Sequence, residues 1–334
     1  SGSPASVHEN ERGGQPGKQV MNVLVTGAAG FIGSRLAGSL LQEGHRVIGL
    51  DSFTPFYPRW MKERNLAPLS SNGRFEFLPR DLNDLDLTAL LRRVEAVFHL
   101  AAQAGVRSSW GRKFSDYIRN NIQNTQSLLE AAKDSGPPKF IFASSSSVYG
   151  MTSDLPMKET SPLLPLSPYG VTKQAAEQLC TLYNKNFGLP TVSLRFFTVF
   201  GPGQRPDMAF HKFLKAVLEG GEITVYGDGR QTRDFTFVDD VVEACLAALE
   251  KGRWGEVYNI GGGHRQRLED IFPVLEDICR KPVRRRTAER QSGDVPDTLA
   301  DIQKARGDLG YAPRTGLREG LSQEWAWIQT LYQV

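Results

Sequence analysis

The sequence predicts an α/β protein: a doubly wound parallel sheet of the Rossmann type carrying a smaller α/β substrate lobe. Three observations predict it. Short apolar runs at residues 21–26, 46–50, 96–100 and 139–143 alternate with stretches of helical character. The first run passes into Gly27-Ala28-Ala29-Gly30-Phe31-Ile32-Gly33, a glycine-punctuated turn that opens a helix. Beyond about Arg195 the chain is richer in Gly, Pro and charge, and its strands are less regular. Strands alternating with helices demand right-handed crossovers, and therefore a parallel sheet covered on both faces.

Each element has a local warrant. Residues 21–26 form the first strand, and residues 32–43 a helix closed by Gly44. Residues 46–50 give a second strand ending at Asp51, and residues 75–79 a third, followed by Arg80-Asp81. Residues 96–100 and 139–143 read as buried strands, the latter running into Ser144-Ser145-Ser146-Ser147. Residues 1–20 are rich in Gly, Ser, Pro and polar residues and read as a disordered tail. Residues 21–197 then form a dinucleotide-binding domain, to which residues 235–262 return, and residues 198–330 form the substrate lobe.

Composition narrows the classes of function. The 334 residues carry 40 basic and 37 acidic side chains, a net charge of +3 that gives no reason to expect nucleic acid as a partner. The three cysteines, Cys180, Cys245 and Cys279, are scattered and lack metal-ligand spacing; buried, reduced thiols in a cytoplasmic protein are expected, with no metal. No apolar run approaches the ~20 residues that cross a bilayer, so no membrane partner is expected.

The glycine turn has a chemical reading. Gly27 permits the tight turn, Gly30 lets backbone approach a pyrophosphate, and Gly33 lets helix pack on strand. Phe31 and Ile32 open the helix whose N-terminal N–H groups would face the anion. Asp51, ending the second strand, is placed to hold the adenosine ribose hydroxyls and repels a ribose phosphate, which favours NAD over NADP. Asp81-Leu82 would meet the adenine, and the small residues of Leu100-Ala101-Ala102 would let backbone lie against the cofactor.

Tyr169 and Lys173 stand one helical turn apart on one face. A free phenol, with pKa ≈ 10, is a poor base at neutral pH. A neighbouring ammonium and a cationic nicotinamide would favour the phenolate. Lys173 would also bond the nicotinamide ribose, and a serine at the strand end would share the proton that the phenolate takes from an alcohol.

These motifs, together with Ser-Ser-x-x-Val-Tyr-Gly and Arg195-Phe196-Phe197-Thr198-Val199-Phe200-Gly201-Pro202, resemble the extended short-chain dehydrogenase/reductases, and within them the nucleotide-sugar 4-epimerases. The resemblance spans residues 21–327. It implies Ser145 as catalytic serine, Tyr169 as base and Lys173 as its partner. It also implies Arg233 as a diphosphate ligand, Asp294 in the stretch contacting the nucleoside ribose, and Val225-Tyr226 in a strand along a uracil. A homodimer is expected by the same resemblance.

Departures point to the sugar. Ser146 and Ser147 stand where sugar-nucleotide 4,6-dehydratases carry an Asp-Glu pair, and Thr198 where epimerases of neutral UDP-glucose usually show asparagine. Neutral hydroxyls cannot abstract a proton as a carboxylate does, but they donate hydrogen bonds to an anion. Residues 195–209, including Arg205, look most like UDP-glucuronate 4-epimerases. The expected activity is interconversion of UDP-glucuronate and UDP-galacturonate through a 4-keto sugar, with NAD recycled. A 4-epimerase of neutral UDP-hexoses and a non-catalytic dinucleotide sensor are the alternatives. Gln291 departs from the arginine frequent in glucose-type epimerases, and Arg284-Arg285-Arg286 reads as a solvated charged edge.

Overall fold

Strand β1 (Asn22–Thr26) is apolar on both faces because it lies in the middle of a sheet covered on both sides. The computed structural model describes residues 19–136, 138–151 and 154–333. Most of the tail expected over residues 1–20 therefore lies outside the described residues. In chain order the next strands are β2 (Arg46–Leu50), β3 (Phe75–Leu78), β4 (Ala96–His99), β5 (Lys139–Ser145) and β6 (Thr191–Phe196). They are followed by β7 (Val199–Phe200), β8 (Glu222–Tyr226), β9 (Thr232–Asp234), β10 (Thr236–Phe237), β11 (Val257–Ile260), β12 (Arg265–Arg267) and β13 (Arg284–Ala288).

Seven strands form one parallel sheet in the order β11-β6-β5-β4-β1-β2-β3. The direction of winding reverses between β1 and β4, and such a reversal opens a crevice at the carboxyl ends of the strands. Alternate residues feed opposite faces: Val23 and Val25 join one core with Phe98 and Ile141, while Leu24 joins the other with Val97, Phe140 and Phe142. The first core is closed by helices Phe31–Gln42 and Val238–Lys251, and the second by Asn124–Asp134 and Pro168–Phe187. Ser167 caps the last of these through the N–H of Gly170, so Tyr169 emerges from its first turn.

The remaining strands form pairs outside this sheet. β13 runs parallel to β8, and β12 antiparallel to β9. Helices Ala209–Leu218, Leu268–Cys279 and Leu317–Tyr332 pack on them through Phe213, Leu214, Ile271, Phe272 and Ile328, which continue the first core without a break. Arg284, Arg285 and Arg286 occupy the exposed strand β13; Arg285 lies over the ring of Phe272 and Arg286 donates to Thr224. The three cysteines are buried free thiols. Among the described residues no helix is long and apolar enough to cross a membrane.

Candidate active site

The crevice above β1 and β4 holds a cavity of about 210 Å³. Its floor is the glycine turn. Gly27 has φ +73°, and its N–H donates to the Leu50 carbonyl at 2.7 Å, tying the turn to β2. A Cβ on Gly33 would fall 2.1 Å from the Gly27 oxygen, so no side chain fits there. No side chain caps the helix that begins at Phe31, which leaves its first N–H groups facing the cavity that Gly30, Phe31, Ile32 and Gly33 line. Ala101 is drawn in by Thr26, whose hydroxyl accepts its N–H at 3.1 Å. A backbone cradle closed to side chains, an uncapped helix N-terminus and the Asp51 carboxylate together fit a dinucleotide diphosphate and its ribose.

Asp51 is tightly held. It accepts from the N–H groups of Phe53 and Ala29 and lies 3.4 Å from the ammonium of Lys62, itself 5% exposed. Lys62 lines the cavity and escaped the sequence reading, since no spacing rule links a lysine on the next helix to the strand-end carboxylate. Asp81, Leu82, Leu100, Ala101 and Ala102 line the same cavity.

Tyr169 and Lys173 enter from the other end. The Ser145 hydroxyl, at the last residue of β5, lies beside the Tyr169 phenol and accepts from the N–H of Ser147 at 3.1 Å. Burial raises the pKa of Tyr169, opposed by the Ser145 hydrogen bond and by the charge of Arg205. The Lys173 ammonium donates to the Ala143 carbonyl at 2.7 Å beside the Phe142 ring, and burial lowers its pKa to about 8. The long lysine stem reaches back to the strand it packs on, and Arg205 adds a second positive charge from the facing loop. Arg205 is itself steadied by a two-point pair with Asp207 at 2.9 and 3.0 Å.

Behind this wall lies a buried network. Ser144 donates to Glu177 at 2.6 Å, Glu177 receives Arg195 at 2.6 and 3.0 Å, and Arg195 reaches the Tyr149 hydroxyl at 2.8 Å. Glu177 stands one turn after Lys173, so the ion pair ties the helix of Tyr169 and Lys173 to β6, and the Ser144 bond ties it to β5.

A second cavity, of about 410 Å³, opens in the small lobe between Tyr226, Arg233 and Asp294. Val225, expected beside Tyr226, points into the core at 7% exposure, as the strand's alternation requires. Arg107, which the sequence did not single out, joins the lobes. It pairs with Asp294 at 2.7 Å and lies 4.1 Å over the Tyr226 ring. Ser146 and Ser147 occupy the short turn after β5, and Thr198 the link between β6 and β7; none of the three lines either cavity.

The sequence profile of the NAD dependent epimerase/dehydratase family matches residues 23–261. The chain belongs to this family, and its cofactor is NAD. It is 47% identical to a Bacillus subtilis protein named uncharacterized UDP-glucose epimerase YtcB, over 94% of this chain and 99% of that one. It is 38% identical to UDP-glucuronate 4-epimerase 4 of Arabidopsis thaliana, over 93% of this chain and 76% of that one. The structure of UDP-glucuronic acid 4-epimerase from Bacillus cereus, in complex with UDP-glucuronic acid and NAD, superposes with a TM-score of 0.91. That comparison is at 47% identity and covers 93% of this chain and all of that one.

Proposed function

We propose that the protein is a UDP-glucuronate 4-epimerase, interconverting UDP-glucuronate and UDP-galacturonate through a transient 4-keto sugar. The observation that carries the reading is the reacting corner itself. A phenol beside Ser145 stands in the field of the Arg205 guanidinium, with no carboxylate of the dehydratase kind in the serine run. A partly exposed guanidinium at that corner suits a sugar with a carboxylate at carbon 6.

NAD in the cradle supplies a reversible hydride acceptor for carbon 4 of the sugar. Gly27, Gly30 and Gly33 admit its diphosphate, Asp51 its ribose, and Lys173 anchors the nicotinamide end. Tyr169 removes the proton of the 4-hydroxyl and later returns it, with Ser145 sharing that proton. Arg205, which lines the cavity, holds the carboxylate of the keto acid, which leaves readily as carbon dioxide when its bond aligns with the carbonyl. Arg233, Tyr226 and Asp294 hold the nucleotide diphosphate, base and ribose. The exposed side chains Val171 and Leu182 on the helix Pro168–Phe187 give two copies an apolar face to pair through. We accordingly place the working enzyme in a homodimer.

The test is incubation of the purified protein with UDP-glucuronate, without added NAD, and product identification by NMR. UDP-galacturonate is expected. Equal kcat/KM for UDP-glucose would replace this reading with that of a 4-epimerase of neutral UDP-hexoses; the name of the Bacillus subtilis relative is that of a UDP-glucose epimerase.

A further inference from the structure

Arg205 is carried by residues 201–208, the link between β7 and the helix Ala209–Leu218. On one side this link lies against the cradle: a Cβ on Gly203 would meet the Phe31 ring at 3.3 Å. The C-terminal helix Leu317–Tyr332 holds it at two further points. The first is Glu324, wholly buried, whose Oε2 accepts the N–H of Gly201 at 2.8 Å. Among the described residues no cation pairs with this carboxyl and its Oε1 has no partner; burial raises its pKa well above the usual carboxylate range. It is therefore kept as the neutral acid, an acceptor set in an apolar wall. The helix lies so close that a Cβ on Gly320, one turn earlier, would fall 2.5 Å from the Phe200 ring.

The second point is Tyr332, acting through His211. Gln204 is 1% exposed; its side chain accepts the backbone N–H of His211 at 2.8 Å and donates to the Val199 carbonyl at 3.1 Å. The Gln204 carbonyl lies 2.7 Å from His211 Nδ1. A carbonyl only accepts, so Nδ1 carries the proton. Nε2 is then bare in the neutral ring and accepts from the Tyr332 hydroxyl at 3.0 Å. Burial lowers the pKa of His211, which keeps that ring neutral. Tyr332, His211 and Gln204 thus form one directed chain, ending on the peptide that joins Gln204 to Arg205.

We propose that the C-terminal helix sets the position of the Arg205 guanidinium, Glu324 fixing the start of its loop and Tyr332, through His211, the peptide before it. These three act through Arg205 and are positioning residues, so selectivity for an acidic sugar is built partly from a helix outside the cavity. The proposal rests on the reading of Arg205 as the ligand of the sugar carboxylate.

The experiment measures KM for UDP-glucuronate, competitive inhibition by UDP and NAD content for wild type, Glu324→Leu, Glu324→Gln and Tyr332→Phe. UDP lacks the carboxylate and reports the nucleotide end alone. Glu324→Leu should raise KM for UDP-glucuronate roughly tenfold, the order of one charge-assisted hydrogen bond, with inhibition by UDP and NAD content unchanged. Glu324→Gln has the shape of the neutral acid and keeps the acceptor, so it should restore the wild-type KM. Tyr332→Phe should raise KM by less. A wild-type KM in both Glu324→Leu and Tyr332→Phe, or an equal weakening of UDP and UDP-glucuronate, would overturn the proposal. If Glu324→Leu does not fold, Tyr332→Phe decides alone. A wild type that uses UDP-glucose as well as UDP-glucuronate would instead remove the reading of Arg205 on which the proposal rests.

Discussion

The two ends of the site are made differently. The cofactor cradle is backbone: a left-handed glycine, a helix end without a cap and strand ends held by their neighbours, all within residues 26–51 and 100–102. The nucleotide end of the substrate site is side chains meeting across the chain, with Arg107 paired to Asp294, 187 residues away. A backbone cradle tolerates no added atom, whereas a side-chain pair at a half-exposed rim can be rebuilt.

The sharpest way to break this comparison is at the point where the ends meet. Tyr169→Phe removes one hydroxyl and leaves the pocket's shape, so kcat should fall by ~10²–10⁴-fold. NAD retention, read by absorbance of the purified protein, should not change. A variant with a third of the wild-type rate would move the base elsewhere.

Next in size is the brace behind the wall. Glu177→Ala leaves Arg195 buried and unpaired, a change that costs about 3–5 kcal/mol. Urea denaturation should show the loss, and replacing both residues by apolar ones of similar volume should restore much of it. If the single variant is as stable as wild type, the pair is not bracing the helix of Tyr169 against β6.

The smallest effect on the fold is expected at the rim. Arg107 and Asp294 have side chains 42% and 23% exposed, and pairs of this kind contribute ~0–1 kcal/mol. Arg107→Ala should leave the melting temperature within a few degrees, raise KM for the UDP-sugar several-fold and leave NAD affinity alone. A fall in NAD affinity of the same size would erase the distinction between the two ends.

This division also explains what the sequence disclosed. The glycine turn, Asp51 and the Tyr169-Lys173 pair were legible because each is a local demand on backbone or on one helical face. The sheet was legible because its strands are apolar on both faces. Arg107, Lys62 and the Glu177–Arg195 pair were not, because nothing in their spacing states what they will meet after folding. Lys173 shows the intermediate case. Its position on the helix was readable, but the Ala143 carbonyl that captures its ammonium depends on how the helix settles on β5. His99 is the opposite lesson. A histidine at a strand end could pass for a catalytic group, yet it lies buried between Thr26 and Thr125. Burial first, and then the charge of Lys173, lower its pKa to about 3.

The central claim is that one Tyr169-centred site oxidises carbon 4 of a UDP-uronate and reduces it again without releasing the cofactor. Its most direct test is conversion of UDP-glucuronate deuterated at carbon 4, followed by NMR and mass spectrometry of the product. The account predicts UDP-galacturonate with the deuterium still on carbon 4. Exchange of that deuterium for solvent hydrogen, or label appearing at carbon 5, would contradict it.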